Sequence, residues 1–184
     1  MKNMLIGLVA IIFAMFATTV VADVVTVDAF ANSSSGGSGK DTGIDIAVGD
    51  DLWITADGCW SAGGESDLLR TSDADGLVSG SANPCTTTVW TAGDWTQNSL
   101  TANFGSLVGS VDGTFFLVGT SFNEIMALTG RLFLHYWDSN ASDNWGSVTA
   151  NIEIHEPNSV PEPGTLALLG FGLVGMGLIR RMKV

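Results

Sequence analysis

Residues 44–58 read IDIAVGDDLWITADG. Ile44, Ile46 and Val48 alternate with Asp45 and Ala47, and Leu52 and Ile54 alternate with Trp53 and Thr55. A period of two sends successive side chains to opposite faces of an extended chain, so each run predicts a short strand with one buried face. Gly49-Asp50-Asp51 between the runs carries turn chemistry.

The same grammar extends outward. Strands are predicted over Leu107–Val111, Phe115–Val118, Arg131–Trp137 and Val148–Ile154, with turns at Asp112-Gly113, Gly119-Thr120 and Thr129-Gly130. No stretch holds a helical period of useful length. Short strands at this spacing predict an all-β antiparallel sandwich or barrel in one domain, residues 23–159. Ser33-Ser34-Ser35-Gly36-Gly37-Ser38-Gly39 reads as a flexible loop after the first strand.

Both ends differ from this body. One lysine precedes an apolar run from Met4 to Ala17, then Val20 and Ala22 stand at −3 and −1 of a cleavage point before Asp23. Residues 1–22 therefore read as a secretory signal peptide, a permanent anchor helix being the alternative. Residues 165–179 carry no charge, contain four glycines and are followed by Arg180, Arg181 and Lys183. As a helix this run spans roughly 22 Å, short of a ~30 Å hydrocarbon core unless its flanks snorkel. The basic cluster should remain cytoplasmic. A plain tail anchor would look similar. However, Val160-Pro161-Glu162-Pro163, a short apolar helix and a terminal Arg180-Arg181 together resemble a PEP-CTERM sorting signal over residues 160–184. In that family Pro161, Glu162 and Pro163 would be the mark read by exosortase, a membrane peptidase. The resemblance implies export, transient anchoring in the inner membrane and delivery to the cell surface or an exopolysaccharide matrix.

Four of the seven Lys and Arg residues lie in these two segments, leaving Lys40, Arg70 and Arg131 against the 19 acids from Asp23 to Glu162, a net charge of −16 over that stretch. Nucleic acid and anionic lipid require basic patches, so neither is expected as a partner. Acidity suits cation binding, and equally a soluble, self-repelling surface. Cys59 and Cys85 are the only cysteines. In an exported protein they most simply form one disulfide, worth roughly 3–4 kcal/mol by chain entropy. Two buried thiols are the alternative.

Catalysis finds little support. There is no Gly-x-Ser-x-Gly elbow, and His135 reads as a satisfied strand histidine beside Phe133 and Trp137. No acid pair stands out as a glycosidase couple. Asp138-Ser139-Asn140-Ala141-Ser142-Asp143-Asn144 is different, because every residue but Ala141 offers a side-chain oxygen suited to a hard cation. It is no EF-hand: position six is Asp143 rather than glycine, and position twelve is Thr149 rather than glutamate. Cation loop and decorated hairpin turn remain equal readings of these residues.

A second resemblance separates them. Ile44–Asp50, Trp53–Gly58, Cys59–Gly63, Ser106–Val111, Phe116–Gly119 and Gly130–Leu132 are similar in sequence to strands of the calcium-dependent, galactose-binding bacterial lectins of the PA-IL type. The resemblance implies a galactose-binding-domain-like β-sandwich. It places calcium on Asp138, Asp143, Asn144 and the Ala62 carbonyl, with two sugar hydroxyls on the calcium and Asp75 near the sugar. Asp143 stands where the family has asparagine, the loop from Asp138 to Gly146 is shorter, and residues 78–102 form a longer segment. Trp90, Trp95 and Trp145 could stack on a pyranose or pack internally. The expected function is calcium-dependent carbohydrate or exopolysaccharide binding without catalysis; a structural matrix role is the alternative.

Overall fold

The computed structural model describes residues 20–78, 84–86 and 93–155, together with Gly170 and Gly172. The remaining parts of the expected signal peptide and sorting tail, with the helix expected over 165–179 and Trp90, lie outside the described residues. Among the described residues eleven strands follow one another: β1 (Val20–Asp28), β2 (Lys40–Ile46), β3 (Asp51–Ser61), β4 (Thr71–Ser72), β5 (Asp94–Gln97), β6 (Leu100–Asn103), β7 (Leu107–Val111), β8 (Thr114–Leu117), β9 (Ser121–Ile125), β10 (Gly130–Tyr136) and β11 (Trp145–His155). They pair antiparallel in two sheets, β1-β11-β3-β4 with β9 also on β3, and β2-β10-β7-β8. A separate β5-β6 ribbon completes the fold. This is an all-β sandwich.

Alternation explains the layers. Val25 and Val27 of β1, Leu52 and Ile54 of β3, and Val148, Ala150, Ile152 and Ile154 of β11 turn inward from the first sheet. They meet Ile44 and Ile46 of β2, Leu107 and Val111 of β7, and Leu132, Leu134 and Tyr136 of β10. Each buried Val, Leu or Ile stabilises by about 1.5–3 kcal/mol relative to exposure, which pins every register, since a slip of one residue would turn a whole row outward. His135 of β10 and Trp137, just past its end, face the other way, both against Phe115. There Trp137, Val108 and Ala102 form a second small core with Trp95, Leu100 and Phe115, covered by the β5-β6 ribbon.

The opening stretch behaves differently at its centre. Val48 is exposed, because β2 ends at Ile46 and Ala47–Asp50 close a turn with Asp50 N–H donating to the Ala47 carbonyl at 3.1 Å. β2 pairs with β10 whereas β3 pairs with β11 and β9, so this turn carries the chain from one sheet to the other. The Asp112-Gly113 turn is a true hairpin. Both residues have positive φ, 49° and 75°, as the two-residue turn matching strand twist requires. β9 escapes a sequence reading because Ser-Phe-Asn-Glu-Ile puts only Phe122 against the core.

Cys59 and Cys85 are joined, their Cα atoms 5.7 Å apart. The bond holds Cys85 against β3, and the Cys85 sulfur also lies 3.6 Å from the Gly58 carbonyl. β1 starts three residues ahead of the cleavage point expected before Asp23, and its pairing from Asp23↔Ile152 to Asp28↔Ser147 lies beyond that point.

Candidate functional site

Residues 135–146 are not a hairpin. β10 ends at Tyr136 in the second sheet and β11 starts at Trp145 in the first, so Trp137–Asn144 bridges the two layers at one end of the sandwich. Its start is held from an unexpected side. Ser33, fully buried, forms a parallel bridge with Tyr136, and Ser34 N–H donates to the Tyr136 carbonyl at 2.9 Å. The Ser34 hydroxyl donates to the Asp138 carbonyl and accepts from Asp138 N–H, both at 3.3 Å. The serine run expected to be a flexible loop is thus, at Ser33 and Ser34, a strut beneath Asp138. Hydroxyls that reach backbone groups make a polar segment packable.

The far end of the connection is a 3-10 turn, Ala141–Asp143, capped by the Asn140 side chain, which accepts from Ser142 N–H at 3.3 Å. Asn140 Nδ2 donates to Asp143 Oδ1 at 2.8 Å. Asn144 follows, its Nδ2 donating to the Ala29 carbonyl at 3.1 Å. Its Oδ1 is buried with no hydrogen-bond partner. Buried amide oxygens are normally satisfied, so this atom calls for an explanation.

Ala62, Arg70, Phe104, Asp138, Ser139, Asn140 and Asp143 line one cleft of about 180 Å³. The structure therefore brings Ala62, Asp138 and Asp143 together from positions up to 81 residues apart, while Asn144, whose side chain reaches Asp138, is not among the residues lining the cleft. Asp138 is only 4 % exposed and receives Ser139 N–H. Burial, with a lesser push from the Asp143 charge, raises its carboxyl from the usual 3.8 to about 6. Burial and the same two carboxylates hold the Tyr136 phenol well above its ordinary range, and its hydroxyl is likewise buried and unpartnered. Among the described residues no three His, Cys, Asp or Glu side chains gather as a metal group. A cation here would rest on two carboxylates, an amide oxygen and backbone carbonyls. That donor set suits a hard ion such as calcium, and the orphaned Asn144 oxygen fits it.

Asp75 stands elsewhere. Its Oδ1 accepts from Thr120 N–H at 2.7 Å and its Oδ2 from the Thr120 hydroxyl at 3.1 Å, fastening the β8–β9 turn. It is not among the residues lining the cleft. Trp95 packs on Trp137 and Phe104, at 4.8 and 6.1 Å between ring centroids, while Trp145 is 49 % exposed. His135 departs from the expectation of a satisfied residue. Its Nε2 shares a 2.8 Å hydrogen bond with Ser110 Oγ, but Nδ1 is buried without a partner, and burial lowers the imidazole to about 4.

With the geometry in place, likeness to known proteins sharpens the picture. Residues 159–181 match the family model of the PEP-CTERM protein-sorting motif. The chain carries a PEP-CTERM sorting tail. Its fold matches the N-terminal domain of EclA, described as a PllA-like lectin, with a TM-score of 0.51 at 18 % identity, over 72 % of this chain and 95 % of that one. At that identity the likeness speaks for the fold alone. No curated protein matches the chain in sequence.

Sequence reasoning missed Arg70 and Phe104 as cleft residues. Phe104 gave no warning, but Arg70 did: it is one of three basic residues in an acidic body.

Proposed function

We propose that this exported protein binds carbohydrate through calcium held in the cleft, without catalysing a reaction. The observation that carries the reading is the Asn144 Oδ1, buried and unpartnered beside the buried Asp138 carboxylate. Asp138, Asp143, Asn144 Oδ1 and the Ala62 carbonyl would be the ligands. Bound there, calcium supplies open coordination positions for two neighbouring sugar hydroxyls. The residues around it do the positioning: Ser34 holds the Asp138 backbone, Asn140 holds Asp143, and the Ala29 carbonyl holds the Asn144 amide nitrogen. Phe104 gives the cleft an apolar wall. Asp75, fastened to Thr120, would touch sugar only through a ligand extending beyond the cleft.

Thermal unfolding with calcium and with a chelator tests the cation, and a glycan-binding screen in calcium tests the sugar. An unmoved midpoint overturns the calcium site. The PEP-CTERM tail supports sorting by exosortase to the cell surface or matrix. Protein recovered there should lack residues 164–184, and finding them would count against that processing.

A second reading is a matrix component without sugar binding. It is favoured by Arg70, whose Nη1 lies 4.0 Å from Asp143 Oδ2 and supplies positive charge to the cleft from within the chain. Calcium-independent stability together with no retention on any sugar would support it.

A further inference from the structure

The two ends of β11 lie at opposite poles of the sandwich. Trp145 follows the cleft connection, whereas His155 is separated from the matched sorting motif by only three residues. β1 runs antiparallel beside it with Val20 opposite His155, so the chain also enters the sandwich at the tail pole. The eleven residues of β11 set that pole roughly 35 Å from the cleft. Pro161 comes six residues after His155 and lies at most about 21 Å from the end of the strand. A peptidase that reads Pro161-Glu162-Pro163 on the folded chain therefore works in front of this pole, with the cleft turned away.

The same pole carries apolar side chains that the fold leaves uncovered. Trp53 is 44 % exposed, and Val48 and Ile125 are each 64 % exposed. Asp51 pairs with both His155 and Ile125, and Trp53 pairs with both Glu153 and Asn123, so these residues form two adjoining rows on one outer face. Trp53 packs on the His155 ring at 5.4 Å between centroids. Met126 N–H donates to the Asp50 carbonyl at 2.7 Å and Gly49 N–H to the Met126 carbonyl at 2.8 Å, which fastens the Val48 turn beside Ile125. Leu52 and Ile54 fill the core from the other face of β3, so the core makes no use of Trp53. Single exposed apolar residues are ordinary, but a group gathered where the tail leaves is a contact surface. Asp51, Glu124 and Glu153 flank it. Those acids oppose an anionic lipid surface and complement a protein face that mixes apolar and basic groups.

Resting on the reading that a membrane peptidase removes the tail, we propose that Val48, Trp53 and Ile125 form the docking face for that peptidase, whose surface there is apolar and basic. Docking holds the motif at the peptidase and raises its effective concentration. The body, and not the motif alone, then governs how fast the tail is removed.

The test is pulse-labelling of the full chain in cells that carry the peptidase, following loss of the tail by mass. V48S/W53S/I125S should lose the tail about tenfold more slowly than the parent, the size expected when a few apolar anchors are removed from an interface. Its thermal midpoint should stay near the parent's, because all three side chains are exposed. W53F should keep most of the parent's rate. L68S/L69S, which removes two exposed leucines from the loop at the cleft pole, should be processed as fast as the parent. Equal rates for the parent and V48S/W53S/I125S overturn the docking face and leave tail removal standing. A tail retained by every protein, the parent included, overturns both. Two results with the processed protein would assign the face elsewhere and overturn the peptidase. One is a Trp emission shift on phosphatidylcholine vesicles that W53F abolishes, which gives the face to the bilayer. The other is a dimer that V48S/W53S/I125S dissolves, which gives it to a second copy.

Discussion

Replacing Asp138 by asparagine should change stability in opposite directions with and without calcium. The carboxyl titrates at about 6 in the fold, against roughly 3.9 in an unfolded chain. Between those values the folded state holds the proton and the unfolded state does not, so stability falls as pH rises through that window. Two units at about 1.4 kcal/mol each make the ionised, cation-free side chain a burden of up to roughly 3 kcal/mol at pH 7. The amide keeps an oxygen for Ser139 N–H but loses the charge on that bond, a loss of about 1 kcal/mol. In chelator at pH 7, D138N should therefore be more stable than the parent by roughly 1–2 kcal/mol, visible in urea as a higher midpoint at unchanged slope. The advantage should fade near pH 4, where the parent's carboxyl is already protonated. Calcium at a hundred times its dissociation constant adds about 2.7 kcal/mol to the parent alone, so the order should invert. If D138N is the less stable protein in chelator at pH 7, the burial argument fails. If calcium stabilises both proteins equally, the ion sits elsewhere.

Three other outcomes follow from the fold. His135, lowered to about 4 against about 6.5 unfolded, favours the unfolded state once protonated, so its contribution is lost as pH falls from 6.5 toward 4, up to about 3 kcal/mol. Urea midpoints of H135Q across that range should lack this decline, and a parallel profile would refute it. Replacing Cys59 and Cys85 by serine opens the closure between residues 26 apart and should cost about 3.5 kcal/mol by chain entropy, read from urea unfolding; no change would mean the bond does not form in the exported protein. Asp75→Ala releases Thr120 N–H and its hydroxyl at an exposed turn and should cost about 1–2 kcal/mol while leaving the calcium-dependent rise in midpoint intact. Loss of that rise would tie Asp75 to the cation.

The sequence by itself determined which segments are strands wherever apolar residues alternate, as in Ile44-Ile46, Leu52-Ile54 and Val148–Ile154. It also determined the Asp112-Gly113 turn and the tail ending in Arg180-Arg181. These are local properties: alternation follows from Cβ geometry, turn choice from the φ of two residues, and the sorting tail from a contiguous motif. Asp138, Asp143 and Asn144 lie within seven residues of one another, so their nearness was legible, while their role as ligands was only what the family resemblance implied. Partnership across the sheets was not readable. Gly49-Asp50-Asp51 looks the same on paper whether it closes a hairpin or passes between layers, and only the burial of β3 beside β11 decides it. Likewise Ser34 gains its role from Tyr136 and Asp138, more than a hundred residues away, and Arg70 reaches Asp143 only because the β3–β4 loop folds over that end of the sandwich. Period and turn chemistry act over a few residues. Pairing and cleft formation are settled by which buried faces can be satisfied at once, and that is a property of the whole chain.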